Sequence, residues 1–514
     1  MTDTIAIGDR RELFVDRHLI EKLQNTRLRL HEPRPAGTAL VFDREYEGVH
    51  CGYTTIVKDG DVYRMYYRGG ITEKKGEIGI KDGVGGHEFT CTVESTDGVH
   101  WTKPNLGLYE VLGSRDNNVV YAYDDPFCTN FAPFLDTNPA ARPAERFKAI
   151  AGMGSNMGCF RKGYLPMEKS GIHGFVSPDG LHWKRIGNQR IFDDGTRVFD
   201  SDNLAFWSPS ESCYVMYYRQ HVDMRTGKIS TQIQHTLDQA KTIARTTSPD
   251  FLHWSPRQEL DFGKYPATNL ECFYTNNLHP YFRAPHIYIG LAMRFMQGRS
   301  ALTDQQIKPI VDELEAHGYQ GWNWIGTGNS WLNVDCSDGI MLTSRGGNRI
   351  DRTFPEAFVR PGPDLRNWTS RCNLPAVGFI QTGPHELSLF VHRHGSQIGS
   401  YLERMSLRLD GFASVNAPYD GGEMITKPFT FSGRELALNC ATSAAGGIRA
   451  EMQGEDGRAI PGFALDDCHE IIGDEIERVV AWKGGSDASK LAGQSIRLRF
   501  QMKDADLFSL RFRP

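Results

Sequence analysis

No stretch of this 514-residue chain reaches the roughly 18 apolar residues a membrane-crossing helix needs, so no membrane span is expected. The opening segment MTDTIAIGDRRELFVD has no apolar core behind a basic start. No secretory signal is read there, and the expected location is cytoplasmic. Neither sign of charge dominates: 58 Lys and Arg stand against 63 Asp and Glu, a net of −5. That removes any global electrostatic case for nucleic acid or an anionic membrane as partner. No Gly-x-Gly-x-x-Gly opens a helix, and no His-rich ligand spacing occurs, so neither a cofactor nor a metal is expected. His50, His279 and His286 read as hydrogen-bonding or packed side chains. The ten cysteines stand singly, without a Cys-x-x-Cys pair, and read as reduced, mostly buried thiols.

What the chain has in plenty is turns and aromatics. Glycine fills 53 of 514 positions and aromatics make up 11%. Both favour an all-β protein. One phrase recurs as STDGVHW at 95–101, SPDGLHW at 177–183 and SPDFLHW at 248–254, with degraded copies at 344–350 and 406–412. Ser, Asp and Gly close a tight turn by side-chain-to-backbone hydrogen bonds, and the Trp packs beneath it. This reads as architecture.

A second repeat is a hairpin of two apolar, aromatic-rich strands. It occurs at 52–68, 203–219, 279–294 and 376–393, and more loosely at 131–152. Five hairpins at this spacing, each with a following turn, predict a five-bladed β-propeller over 1–415, the N-terminal strands closing the ring or lying along it. Blade 4 carries an insertion at about 297–333 with the single good helical stretch, from Asp304 to Gly318. From 416 to 514 the alternating strands predict a β-sandwich.

Hairpin geometry places chemistry. The start of each first strand and the end of each second strand lie at the same end, opposite the turn, so both gather at one mouth of the channel. Before blade 1 stand Asp43, Glu45, Glu47 and His50. Before blade 2 stand Asp124, Asp125 and Asn130, and before blade 3 Asp200 and Asp202. Blade 4 is preceded by Glu271, Asn276 and Asn277, blade 5 by Arg371 and Asn373. The second strands end in Arg68, Arg219, Arg294 and the Arg393–His394 pair. Carboxylates around a pocket are the equipment of glycoside hydrolysis. Glu271, between Leu270 and Cys272–Phe273, suits a general acid, because apolar neighbours raise a carboxyl pKa. The cations suit a charged or densely hydroxylated substrate. Trp322, Trp324 and Trp331 in the insertion offer planes on which sugars stack.

These residues resemble the five-bladed propeller glycoside hydrolases of families 32 and 43, and most closely a bacterial family 32-like branch. ELFVDRHLI, STDGVHWTKPNLGLYE, HPYFRAPHIYIG, TKPFTFSGREL and PGFALDDC carry the resemblance. It implies a propeller followed by a β-sandwich. Asp202, in FDSDNLAFW, falls at the family's transition-state-stabilising Asp, with Asp200 two residues away. Glu271, in LECFYTN, falls at its Glu-Cys acid/base. The family's Asn-Asp-Pro-Asn nucleophile motif has no counterpart in HCGYTT, which leaves Glu47 the nearest candidate, then Asp43 and Glu45.

The expected function is a glycoside hydrolase acting on a furanoside- or uronide-like oligosaccharide. Glu271, Glu47, Asp202 and Asp200 are the catalytic set. Arg68, Arg219, Arg294, His394, His50, Asn130, Asn276 and Trp322 are the substrate-binding set. The alternatives are an inverting phosphorylase using inorganic phosphate and a non-catalytic sugar-binding propeller. The blade 4 insertion and the β-sandwich are the surfaces through which homo-oligomers would form.

Overall fold

The computed structural model describes residues 4–70, 88–124, 127–128, 130–154, 169–196, 198–200, 202–231, 237–268, 270–319 and 330–514. Five antiparallel sheets succeed one another as expected. Blade 1 is Gly52–Asp59, Val62–Gly70, Glu88–Ser95 and Val119–Tyr121. Blade 2 is Ala132–Leu135, Phe147–Ala151, His173–Ser177 and Lys184–Arg185. Blade 3 is Leu204–Ser208, Cys213–Asp223, Gln239–Ser248 and Gln258–Glu259. In blade 4 the first strand is broken into Glu271–Phe273 and His279–Tyr281, both paired to Ala284–Gln297, with Asp335–Ser344 beyond. Blade 5 begins with Leu374–Pro375 and Ile380–Gln381, continues through Glu386–Arg393 and Tyr401–Arg408, and takes Arg34–Val41 as its outer strand.

The second strands read as unbroken apolar runs because both of their faces are covered. Met65 and Tyr67 pack in a core shared with Phe390 and Leu402 of blade 5, whereas Tyr66 points the other way, toward Phe147 and Phe175 of blade 2. Val215 and Tyr217 likewise face blade 4, and Met216 and Tyr218 face blade 2. Alternation thus serves two neighbouring blades instead of a core and solvent.

The Ser-Asp-Gly turns are architectural, as expected. In the first, Ser95 Oγ accepts from Gly98 N at 2.8 Å, Asp97 accepts from Val99 N and His100 N, and Trp101 Nε1 donates to Gly98 O. The copy at 177–183 repeats this, and Tyr66 of blade 1 donates to its Gly180 O at 3.0 Å. The turn therefore stitches neighbouring blades. It lies at the hairpin-turn end, where Arg64 reaches Asp179 O, away from the mouth.

The N-terminal strands divide their work. Arg34–Val41 closes blade 5, but Ile5–Gly8, Glu12–Leu13, Ile20–Gln24 and Arg27–Leu30 pair with the C-terminal strands. There the long strands Glu435–Gln453 and Arg497–Arg513 run side by side, bulged at Asn439 and again after Thr442. They join an eight-stranded hydrogen-bonded set around one apolar core that includes Phe14, Trp482, Phe500 and Phe512.

The blade 4 helix spans Asp304–Ala316, one residue inside a capping box made by Thr303 and Gln306. It buries Ile307, Ile310, Val311 and Leu314 against Leu332 and Trp368. Among the described residues no helix is long and apolar enough to cross a membrane. The nine described cysteines are free thiols, and all but Cys213 are buried.

A candidate active site at the channel mouth

The strand starts at the mouth turn through left-handed backbone. Tyr53, Asn130, Asn277, Arg371, Asn373 and His394 all have φ between 52° and 62°. Asparagine accepts this conformation readily; Tyr53 and Arg371 hold it against a cost of order 1–3 kcal/mol. Side-chain amides then clip the loops together. Asn203 accepts from Arg219 N at 2.9 Å and donates to Asp200 O at 2.8 Å. Asn276 donates to Asp202 O, and Asn277 to Pro375 O. Asn130 is buried, and its side-chain oxygen has no partner among the described residues.

Four blades deliver charged and phenolic groups to one place. Arg68 stacks on the Tyr53 ring with 4.4 Å between guanidinium carbon and centroid. Arg219 stacks on Tyr274 at 4.3 Å, donates to Tyr274 O, and pairs with Asp200 at 3.0 Å. The Tyr53 and Tyr274 hydroxyls meet at 3.2 Å, and Arg371 Nε lies 3.3 Å from the Tyr274 hydroxyl. Asp202 is 6% exposed, and its carboxyl makes no hydrogen bond among the described residues. Burial drives its pKa up to about 7 and the charge of Asp200 adds to that, against the pull of Arg219 and Arg68. Behind the mouth lies Asp335. Burial pushes it up to about 6 against the pull of Arg371 and Lys241, and one of its oxygens has no hydrogen-bond partner among the described residues.

Of the expected catalytic set, Asp200 and Asp202 stand together at this mouth. Glu47 does not join them. Its carboxylate is fully buried, where it accepts from Tyr67 at 2.5 Å and from Arg44 N and Lys103, each at 2.8 Å. Its contacts lie in that ion pair and with the Tyr67 hydroxyl, and not in the cluster around Asp200. Glu271 begins the broken strand and pairs with Arg352, at 2.7 Å, and Arg294, at 3.9 Å. Arg352 is itself stacked on Phe273.

Of the expected binding set, Arg68 and Arg219 are in the cluster. The His50 carbonyl accepts from Arg68, and burial holds the His50 ring neutral, its pKa lowered to about 3. Arg294 is taken by Asp338 at 2.8 and 2.5 Å, and His394 by Asp364 at 2.7 Å. Both act as braces. Trp322 and Trp324 lie outside the described residues.

Sequence reasoning did not single out Tyr53, Tyr274, Lys241 or Asp335, and it named Arg371 only as a flanking residue. Tyr53 and Tyr274 sit at the strand starts already marked as the mouth, so the signal was positional. Among the described residues no group of three or more His, Cys, Asp or Glu is placed to hold a metal.

No family profile matches the chain, and no curated protein matches it. Among solved structures, a chain described as a glycoside hydrolase aligns at 10% identity with a TM-score of 0.44, covering 73% of this chain and 92% of that one. A family 43 arabinoxylan arabinofuranohydrolase from Bacillus subtilis aligns at 11% identity with a TM-score of 0.37, covering 91% and 96%. A protein of the family 130 mannoside phosphorylases, a family described as containing hydrolases of β-1,2 mannosidic linkages in Candida mannan, aligns at 11% with a TM-score of 0.39, covering 73% and 93%. Likenesses at this level assign neither a family nor a residue's role to this chain.

Proposed function

We propose that the chain is a glycoside hydrolase whose site is the channel mouth, with Asp202 as general acid and Asp200 as the stabilising carboxylate. One observation carries the reading. A buried carboxyl that keeps its proton up to about pH 7 stands, without a hydrogen bond to any described residue, two positions from a carboxylate paired to Arg219. A carboxylic acid in that state hands its proton to a departing glycosidic oxygen, and the neighbouring charge favours the oxocarbenium-like transition state. The resemblance to family 32 gives the acid role to Glu271. The contacts support moving it to Asp202, because Glu271 is committed to Arg352.

The substrate class is an oligosaccharide with furanoside or uronide character. Arg68, Arg219 and Arg371 favour a sugar bearing an anionic group. The same three guanidiniums favour a second reading, in which inorganic phosphate takes the place of water.

A panel of aryl and oligosaccharide furanosides, fructosides and uronides, each with and without phosphate, tests both. Asp202→Asn is expected to cut turnover by about 10²–10⁴-fold with the fold intact. Turnover indifferent to that substitution removes the acid assignment, and rates indifferent to phosphate remove the second reading.

A further inference from the structure

An acid and a stabilising carboxylate do not complete a reaction that passes through a glycosyl-enzyme: some group must attack the anomeric carbon. Glu47 is held in its ion pair with Lys103 and Glu271 in its pair with Arg352. Two phenols meet among the same strand starts, Tyr53 half-buried and Tyr274 buried. Tyr53 reaches in from blade 1 and Tyr274 from blade 4, and their hydroxyls meet at 3.2 Å. Each ring carries a stacked guanidinium, and Arg371 from the start of blade 5 lies 3.3 Å from the Tyr274 hydroxyl. Arg68 and Arg219 are also held by the His50 carbonyl and by Asp200, so they sit fixed over the ring faces while Arg371 is the guanidinium directed at a phenolic oxygen. A phenolate oxygen is what this array is built to hold.

The electrostatics of Tyr274 agree. Burial opposes ionisation, and Asp200 adds to that opposition. Arg371, Arg219 and the Tyr53 hydroxyl together outweigh both, so the phenol ionises below its ordinary value. Other buried tyrosines of the chain go the opposite way: burial raises Tyr66, Tyr67, Tyr218 and Tyr281. Neighbouring charge, not burial, makes Tyr274 different.

We propose that Tyr274 is the nucleophile of this site, attacking the anomeric carbon through its phenolic oxygen. The proposal rests on the glycoside-hydrolase reading above. The phenolic proton passes to solvent before attack. The oxygen's electron pair then forms the bond to the anomeric carbon while the bond to the leaving oxygen breaks. That oxygen keeps the bonding pair and takes the proton of Asp202, leaving an aryl glycoside on Tyr274. Water next attacks the same carbon and gives a proton to the Asp202 carboxylate. The bond to Tyr274 breaks, with its pair returning to the phenolate.

Two measurements separate the failure of this proposal from the failure of the function. The first needs no substrate. Titration of the protein by phenolate ultraviolet absorbance is expected to show one tyrosine ionising below the rest. That component disappears in Tyr274→Phe and moves to higher pH in Tyr53→Phe, which loses the donor but keeps the phenol. A titration with no such early component, or one that survives Tyr274→Phe, overturns the proposal.

The second measurement uses an aryl glycoside with a good leaving group and the Asp202→Asn protein. There attack no longer needs the acid, but release of the sugar is slowed. Intact-protein mass spectrometry is expected to show one added glycosyl group, mapped to the peptide holding Tyr274. An adduct on Asp200 overturns the assignment. Near wild-type turnover in Tyr274→Phe also overturns it, and if Asp202→Asn is inactive the glycosidase reading survives that failure.

Discussion

Burial raises the pKa of Asp202 to about 7 against the pull of Arg219 and Arg68, and that has two consequences. As an acid it works only while protonated, so kcat/KM is expected to fall as pH rises through about 7. In the residual activity of Asp202→Asn that limb is absent. Stability follows the same proton. The folded carboxyl titrates near 7 and an ordinary Asp near 3.8, so below that lower value both states carry the proton. Across the window between them the unfolded state ionises first, and the folded protein loses up to about 1.4 kcal/mol for each pH unit crossed. Thermal melts of the wild type and Asp202→Asn are therefore expected to diverge from pH 4 to pH 7, the wild type falling behind. Parallel curves would show that the site is wetter than the structure has it. At this scale the sequence marks Asp202 and Asp200 but not their roles. Whether a carboxylate is an acid, a stabiliser or a brace depends on which cation reaches it, and Glu47, Asp200 and Glu271 look alike until Lys103, Arg219 and Arg352 are placed.

Among the elements, the loop before blade 1 shows how a site-like sequence becomes a brace. FDREYEGVHC places Asp43, Glu45, Glu47 and His50 beside a strand start, yet Lys103, from the segment after the first Ser-Asp-Gly turn, pairs with the buried Glu47 and the exposed Asp43 and ties them to Val41 O of blade 5. Lys103→Met strands the Glu47 charge and is expected to cost about 3–5 kcal/mol in denaturant unfolding. Adding Glu47→Gln recovers part of that loss. Glu47→Gln alone is expected to leave turnover near wild type, and a collapse of turnover with an unchanged fold would return Glu47 to the catalytic set. Blade 4 shows the reverse case. Its first strand breaks between Phe273 and His279 because the backbone there crosses close over Gly290. A Cβ on Gly290 would lie 2.4 Å from Asn276 O and 2.7 Å from Leu278 N. Gly290→Ala is expected to displace the Tyr274–Asn276 segment, lowering activity more than melting temperature. A variant as active as wild type would show the broken strand to be irrelevant to the site.

Across the whole molecule, the strands Ile5–Leu30 carry charge into the propeller. Glu12 and Asp16 share Arg345 of blade 4 at 2.7 and 2.8 Å, and His286 meets Glu12 at 2.8 Å. Arg11 and Arg283 converge on Asp410 and Glu477 in the same region. Burial alone would raise Glu12, but His286 and Arg345 bring it down to about 2. Its contribution to stability is therefore present above the ordinary glutamate value of 4.5 and is lost as pH falls toward 2. Arg345→Met leaves two buried carboxylates without their cation and is expected to cost about 3–5 kcal/mol at neutral pH, with a smaller penalty at pH 3. Denaturant unfolding at the two pH values checks this, and equal penalties would exclude the linkage.

The amino-acid order alone determined the all-β class, the number of blades, the turn signature and the end of the propeller at which strand starts and strand ends meet. All of these follow from local rules: hairpin periodicity, turn-forming residues, and the geometric fact that strand starts share one end. Tertiary structure decided the rest. It sent Ile5–Leu30 to the C-terminal strands, because edge strands choose partners by proximity and the sequence pattern does not name them. It also decided which buried carboxylates were paired with a cation, and it brought Arg68, Arg219 and Arg371 onto two tyrosines from different blades. A proton affinity is set by burial and by charges within a few ångströms, and no spacing along the chain encodes those distances.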